Sequence, residues 1–343
     1  MLQNAQNRTP SRPPMSATLV LTERLPESGM RKLAEHVEVT VRVLPAPTAI
    51  ELAGALPSAD GVIMVMEQPA LTAELIEQAP RLRVACRMGV GYDNFDVAAL
   101  TQRRIPLATT GTANVQTVAE HALYLMLALA KRGPALDRAV KGGAWPRAFG
   151  AVELSGRSCL VVGFGRIGRQ VARLAAAFGM RVVVVDPNLS QSEMTGEGFE
   201  LVDSLSAGLA DADFVVLACA LTNGTRGLFD AATLAQMKSG AFLVNVARGP
   251  IVVESALAAA LRDGRLGGAG LDVLETEPPR AGNPLLARDD VVLTPHTAGY
   301  TRAAFDRMAL ACAENALAGL DGTLDPSQVV NAEVLRREEG NSR

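Results

Sequence analysis

The stretch CLVVGFGRIG (residues 159–168), followed by RVVVVDP (residues 181–187), decides how this chain is read. An apolar run that reads as a buried strand leads into Gly163, Gly165 and Gly168, and an amphipathic segment follows. The first glycine permits a tight turn, the second lets backbone approach a pyrophosphate, and the third lets helix and strand pack closely. A helix starting there presents unpaired N–H groups and a positive dipole end to phosphate. Asp186 ends the next apolar run 18 residues after Gly168, about the spacing of a ribose-binding acid. Strand, glycine turn, helix and acid in this order predict a dinucleotide site.

Working outward, the pattern repeats on both sides. Downstream, DFVVLACA, AFLVNVA, GAGLDV and VVLTPH read as further strands, each but the last preceded by a helical segment. TRAAFDRMALACAENALAGLDG reads as a final amphipathic helix ended by glycine. Upstream, TLVLTE, VEVTVRVL, GVIMVM and LRVACR read as strands, with MRKLAEH and LTAELIEQA as helices between them. Strands alternating with helices imply parallel sheets covered on both faces. A long helix is expected over residues 113–132, followed by the Gly/Pro-containing stretch KGGAWPRAFGAVELSGRS, where Trp145 reads as a packing anchor.

The bulk numbers agree with two α/β domains. A chain of 343 residues exceeds the roughly 250–300 at which one core stops growing. With 33 basic and 36 acidic side chains and no basic cluster, neither nucleic acid nor an anionic membrane is an expected partner. The longest apolar run, Ala122 to Ala130, falls far short of the ~20 residues of a membrane span. Cys86, Cys159, Cys219 and Cys312 form no C-x-x-C pair, so reduced thiols in a cytoplasmic protein are expected rather than a disulfide framework or a metal site. Residues 1–16 read as a disordered lead-in, with Met15 an alternative start, and no regulatory domain is expected after residue 335.

Candidate chemistry gathers where strands end. Arg248 follows LVNVA, Asp272 and Glu277 lie in GLDVLETEPP, and His296 lies in LTPHTAG. Ligands of open α/β sheets collect at that edge. No Tyr has a Lys four residues on and no cluster of Cys and His is present, which leaves proton transfer by a His aided by an Arg. Taken singly, Arg248 reads equally well as a surface charge, Glu277 as a turn acid and Asp272 as a turn cap. His121 and His36 read as structural.

Several separate motifs then align in order. The 29 residues from Arg248 to Glu277, the 19 from there to His296, RMGVGYDNFD (87–96), TVAEHALYLMLALAKR (117–132) and the LT-x-x-T of Leu221, Thr222 and Thr225 together resemble the NAD-dependent D-isomer-specific 2-hydroxyacid dehydrogenases. The resemblance runs from Thr18 to about residue 335. It implies a Rossmann NAD-binding domain (113–299) and a smaller flavodoxin-like substrate domain (17–112 with 300–335), both doubly wound, with the active site in the cleft. It implies hydride transfer between NAD(H) and a D-2-hydroxy or 2-keto acid. His296 would be the acid/base, Glu277 its partner, and Arg248 the group that holds the substrate carboxylate and polarises its carbonyl. Backbone near Val90 and Gly91 would bind the same carboxylate. Val118, Gly163, Gly165, Arg166, Ile167, Gly168, Asp186, Thr222, Ala247 and Asp272 would line the cofactor, with no metal, in a homodimer. The alternative is an NAD-sensing, corepressor-like binding protein of the same superfamily. Ala220 and Leu274 stand where the family commonly has Pro and Phe. Glu67 places an acid in a loop where phosphate binding would call for a base, although Arg87 is available to a phosphate on sequence grounds.

Overall fold

The computed structural model describes residues 16–147, 150–192, 194 and 196–336. The lead-in expected over 1–16 therefore lies, except for Ser16, outside the described residues. The chain divides into two compact units, one gathering residues up to Gly111 and from Asp306 onward, the other spanning Thr112–Phe305.

The first unit alternates β1 (Ala17–Leu21), α1 (Glu27–Ala34), β2 (Val39–Val43), α2 (Ala49–Ala55), β3 (Gly61–Met64), α3 (Ala73–Glu77), β4 (Val84–Arg87), α4 (Val97–Gln102) and β5 (Leu107–Ala108). The strands form one parallel sheet in the order β2-β1-β3-β4-β5. Central strands β3 and β4 are buried at every position, whereas edge strand β2 alternates between half-buried and exposed residues. That is the difference between a strand covered on both faces and one that meets water. Three helices here start where a side chain can take an orphan N–H: Thr48 forms a capping box with Glu51 at α2, and Thr72 and Asp96 cap α3 and α4.

The second unit contains α5 (Val115–Ala130), α6 (Gly133–Lys141), β6 (Ser158–Val162), α7 (Arg166–Ala177), β7 (Arg181–Val185), β8 (Glu200–Leu201), α8 (Leu205–Leu209), β9 (Phe214–Leu217), α9 (Ala231–Gln236), β10 (Phe242–Asn245), α10 (Glu254–Arg262), β11 (Gly268–Leu271) and β12 (Val291–Leu293). The last helix, α11 (Arg302–Asp321), begins in this unit and continues into the first. Seven parallel strands run in the order β12-β11-β10-β9-β6-β7-β8. Two hydrophobic clusters cover the sheet, one including α5 and α7 residues such as Ala122, Leu125 and Val171, the other including Leu234, Leu257 and Leu261 from α9 and α10. Each fully buried Leu or Val side chain contributes about 1.5–3 kcal/mol relative to exposure. α5 lies close on the sheet because Gly268 and Gly270 of β11 have no side chain: a Cβ at Gly270 would sit 2.9 Å from the Leu125 Cβ.

Residues 133–141 form a further helix, α6, with a proline in its first turn, where it costs no hydrogen bond. One local expectation fails: among the described residues Trp145 is no packing anchor, since it is 87% exposed.

Candidate active site

In the second unit the strand order reverses between β6 and β9, and the glycine turn lies at the carboxyl end of β6, beside this switch point. Gly163 has φ 91°, a region that favours glycine, and a Cβ there would lie 2.6 Å from the Cys219 Cα. Gly165 is the N-cap of α7, no side chain caps that helix, and a Cβ at Gly165 would meet nothing within 4 Å. Open space thus faces the first turn of α7 at Arg166 and Ile167, a helix N-terminus that fits a pyrophosphate. Asp186 stands just past β7 and accepts the N–H groups of Phe164 (2.8 Å) and Asn188 (2.9 Å). These bonds orient the carboxylate toward the glycine turn and leave lone pairs for ribose hydroxyls. Across the switch point, Thr225 Oγ1 accepts the Thr222 N–H at 2.8 Å and donates to the Ala220 carbonyl at 2.7 Å, fixing the turn after β9. Val118 is buried in α5.

Arg248, Asp272, Glu277 and His296 follow β10, β11 and β12 at the same carboxyl edge. Asn245, almost fully buried at the end of β10, clamps the first loop: its Oδ1 accepts the Ala247 N–H (3.0 Å) and its Nδ2 donates to the Arg248 carbonyl (2.9 Å). Arg248 Nη1 donates to the Ala247 carbonyl at 2.8 Å. The next residue has to be small, because a Cβ at Gly249 would fall 1.8 Å from the Leu274 carbonyl oxygen. That close approach brings the Arg248 loop against the segment leading to Glu277.

Glu277 Oε2 lies 2.7 Å from His296 Nδ1, with the two side chains 33% and 31% exposed. Its other oxygen accepts the Leu274 N–H at 2.8 Å. Burial alone would push the Glu277 carboxyl up; the hydrogen bonds from His296 and Leu274 and the charges of His296 and Arg248 outweigh it and hold the group below the usual carboxylate range. A carboxylate at Nδ1 keeps the proton on that nitrogen, which leaves Nε2 to exchange one with a substrate. His296 has φ 55°, uncommon for a residue with a Cβ, and its N–H donates to the Asp272 carbonyl at 2.7 Å.

Asp272 has a side chain only 1% exposed. Its Oδ1 accepts the Thr294 hydroxyl (2.6 Å) and the Thr297 N–H (2.9 Å), and its Oδ2 accepts the Ala298 N–H (2.9 Å). The carboxylate thus stitches together the turn that carries His296. His121, read above as structural, joins this set from α5: its Nε2 is 2.8 Å from Thr294 Oγ1 and 3.6 Å from Asp272 Oδ1. Asn245, Thr294 and His121 escaped the sequence reading. The available signal was a polar residue closing an apolar run in LVN and LT, and an imidazole on an otherwise apolar helix. Val90 and Gly91 belong to the other unit, just past β4. There Arg87 donates to the carbonyls of Met64 (3.4 Å), Val65 and Gly91 (3.2 Å), and it pairs with Glu67 at 3.6 Å.

Residues 123–298 match the family model described as D-isomer specific 2-hydroxyacid dehydrogenase, NAD binding domain. The chain is similar to the D-3-phosphoglycerate dehydrogenase of Mycobacterium tuberculosis, 40% identical over 327 residues, with 94% of this chain and 61% of that protein covered. It therefore spans about three-fifths of that relative's length. It is also similar to the glyoxylate reductase of Korarchaeum cryptofilum, 36% identical over 94% of this chain and 98% of that protein. Among solved structures, the D-lactate dehydrogenase of Aquifex aeolicus, complexed with NAD and lactic acid, superposes with a TM-score of 0.81 at 25% identity, covering 92% of this chain and 99% of that one.

Proposed function

Because the chain belongs to the D-isomer-specific 2-hydroxyacid dehydrogenase family, we propose that it interconverts a 2-keto acid and the corresponding D-2-hydroxy acid with NAD(H). The observation that carries this reading is the 2.7 Å His296–Glu277 contact on the sheet edge that also bears the glycine turn and Arg248. Bound NADH supplies the hydride. Negative charge then builds on the keto oxygen, and a proton donor and a cation placed there act mainly on the transition state. His296 passes the proton from Nε2 to that oxygen in reduction and takes it back in oxidation, while Glu277 holds Nδ1–H and stabilises the imidazolium. Arg248, with its planar fork, matches the substrate carboxylate and polarises the carbonyl.

We propose further that the substrate is small and unphosphorylated. At the carboxyl edge of the smaller sheet, Arg87 already serves three carbonyls and Glu67, and Glu67 would repel a dianion. A homodimer is proposed as well: α6 buries none of its residues, and Tyr124, Val140 and Trp145 are exposed apolar side chains. Among the described residues no helix is long and apolar enough to cross a membrane, which accords with the proposed cytoplasmic location.

The test is a screen of NADH oxidation over glyoxylate, pyruvate, hydroxypyruvate, phenylpyruvate and 3-phosphohydroxypyruvate. Turnover of one of the first four is expected. Preferred turnover of the phosphorylated acid would overturn the substrate proposal, and no turnover of any would overturn the activity.

A further inference from the structure

The proton count around Thr294 gives His121 a role. The Thr294 hydroxyl has one proton and donates it to Asp272 Oδ1 at 2.6 Å. Toward His121 Nε2, 2.8 Å away, the same oxygen can only accept, so Nε2 carries a proton. Donation therefore runs one way, from His121 to Thr294 to Asp272. Burial lowers the His121 pKa, partly offset by Asp272, so at neutral pH the ring is uncharged and its single proton sits on Nε2.

The far end of this chain is the His296 turn. Asp272 collects donors from Thr294, Thr297 and Ala298, which flank His296 on both sides, and its carbonyl holds the His296 N–H. The turn leaves β12, a strand of three residues at the edge of the sheet, paired among the described residues with β11 alone. An edge strand lacks lateral support on one side, and a left-handed φ at His296 persists only where its surroundings over-determine it. α5, packed on the same sheet, supplies that support through His121.

We infer that His121 is a positioning residue for the proposed reaction, holding the 294–298 turn, and with it His296, through Thr294 and Asp272. The inference rests on the activity proposed above, so its test has one arm that needs no turnover. The chain has three histidines, His36, His121 and His296, and ¹⁵N-histidine spectra of the full chain resolve each ring once a His36→Gln variant identifies the first. His121 should show the neutral Nε2–H form as a single tautomer at neutral pH. In His121→Leu and Thr294→Val the turn loosens, the His296–Glu277 contact weakens, and the His296 titration midpoint falls; the charged groups Glu277, Arg248, Asp272 and Asp186 of this sheet edge are unchanged in both. The double variant should move it no further, as for residues acting through one path.

In the kinetic arm, His121→Leu should lower kcat by roughly 10²-fold, the scale of a 1 Å misplacement of a reacting group. The KM for NADH should stay within about 2-fold, because the glycine turn is untouched. His121→Gln, which keeps a donor at similar reach, should retain more of kcat than His121→Leu. Averaged tautomers at His121, or an unmoved His296 midpoint in both single variants, would overturn the inference, as would a kcat for His121→Gln no better than that for His121→Leu. If the unmodified chain reduces no 2-keto acid, the proposed activity falls, and the histidine signals still decide for or against the positioning role.

Discussion

Two ends of one sheet edge in the second unit are built by different means. The glycine turn after β6 is a site made of backbone: its shape comes from residues with no side chain, and a Cβ at Gly163 or Gly168 would strike main chain or its neighbours. The turn after β12 is a site made of side chains. His296, Glu277, Asp272, Thr294 and His121 come from three separate segments and are held by hydrogen bonds of 2.6–2.9 Å. A backbone site tolerates little change of shape, whereas a side-chain site tolerates little change of chemistry. Substitutions at the two ends should therefore fail in different measurements.

The largest effect is expected at the chemical end. His296→Ala should lower kcat for keto-acid reduction by about 10²–10⁴, the usual loss for a general acid, while NADH binding measured by fluorescence titration stays intact. A comparable loss of NADH affinity would erase the distinction between the two ends. At the backbone end, Asp186 is expected to set cofactor choice by charge. An added 2′-phosphate would meet its carboxylate, and discrimination against NADPH of roughly 10²-fold in kcat/KM is expected, since like charges at contact commonly cost several kcal/mol. Asp186→Ala should narrow that ratio chiefly by raising the NADPH rate; equal use of both cofactors by the unmodified chain would mean that Asp186 does not face the ribose. Gly163→Ala should act on shape alone. Its φ of 91° and the Cys219 Cα at 2.6 Å predict a loss of about 1–3 kcal/mol in stability, seen as a lower Tm, together with weaker NADH binding. An unchanged Tm would show that the turn relaxes freely.

The same contrast explains what was legible in the sequence. Glycine spacing, a strand before it and an acid after the next strand are local patterns, so the strand, turn and helix from β6 to α7 can be read from sequence. β3, β4 and β9 are equally plain because strands buried on both faces are continuous apolar runs. The Asp272 network is not local: His121 lies 173 residues from Thr294, and neither periodicity nor spacing marks a hydrogen bond across that distance. Asn245 was hidden for a related reason, since an Asn that closes a strand looks the same in sequence whether or not its amide clamps the loop beyond. α6 is hard to read in advance because Gly-Pro signals both a break and a helix start. Trp145 reads as a packing anchor because a large apolar ring is a strong cue for a core, yet the ring lies exposed.

The central claim is that the His296–Glu277 pair delivers the proton, and the pH dependence of kcat for keto-acid reduction, in the unmodified chain and in Glu277→Gln, tests it most directly. Glu277 is held below the usual carboxylate range, so it stays ionised through neutrality and its side of the contact is lost only as pH falls through that lowered value. The interaction is mutual: the imidazolium that favours the carboxylate is favoured by it to the same extent. Reduction should therefore fall as pH rises through the loss of the His296 proton. In Glu277→Gln, where a neutral amide replaces the charge, that fall should come at lower pH with a reduced plateau. An identical descending limb in both proteins would contradict the account.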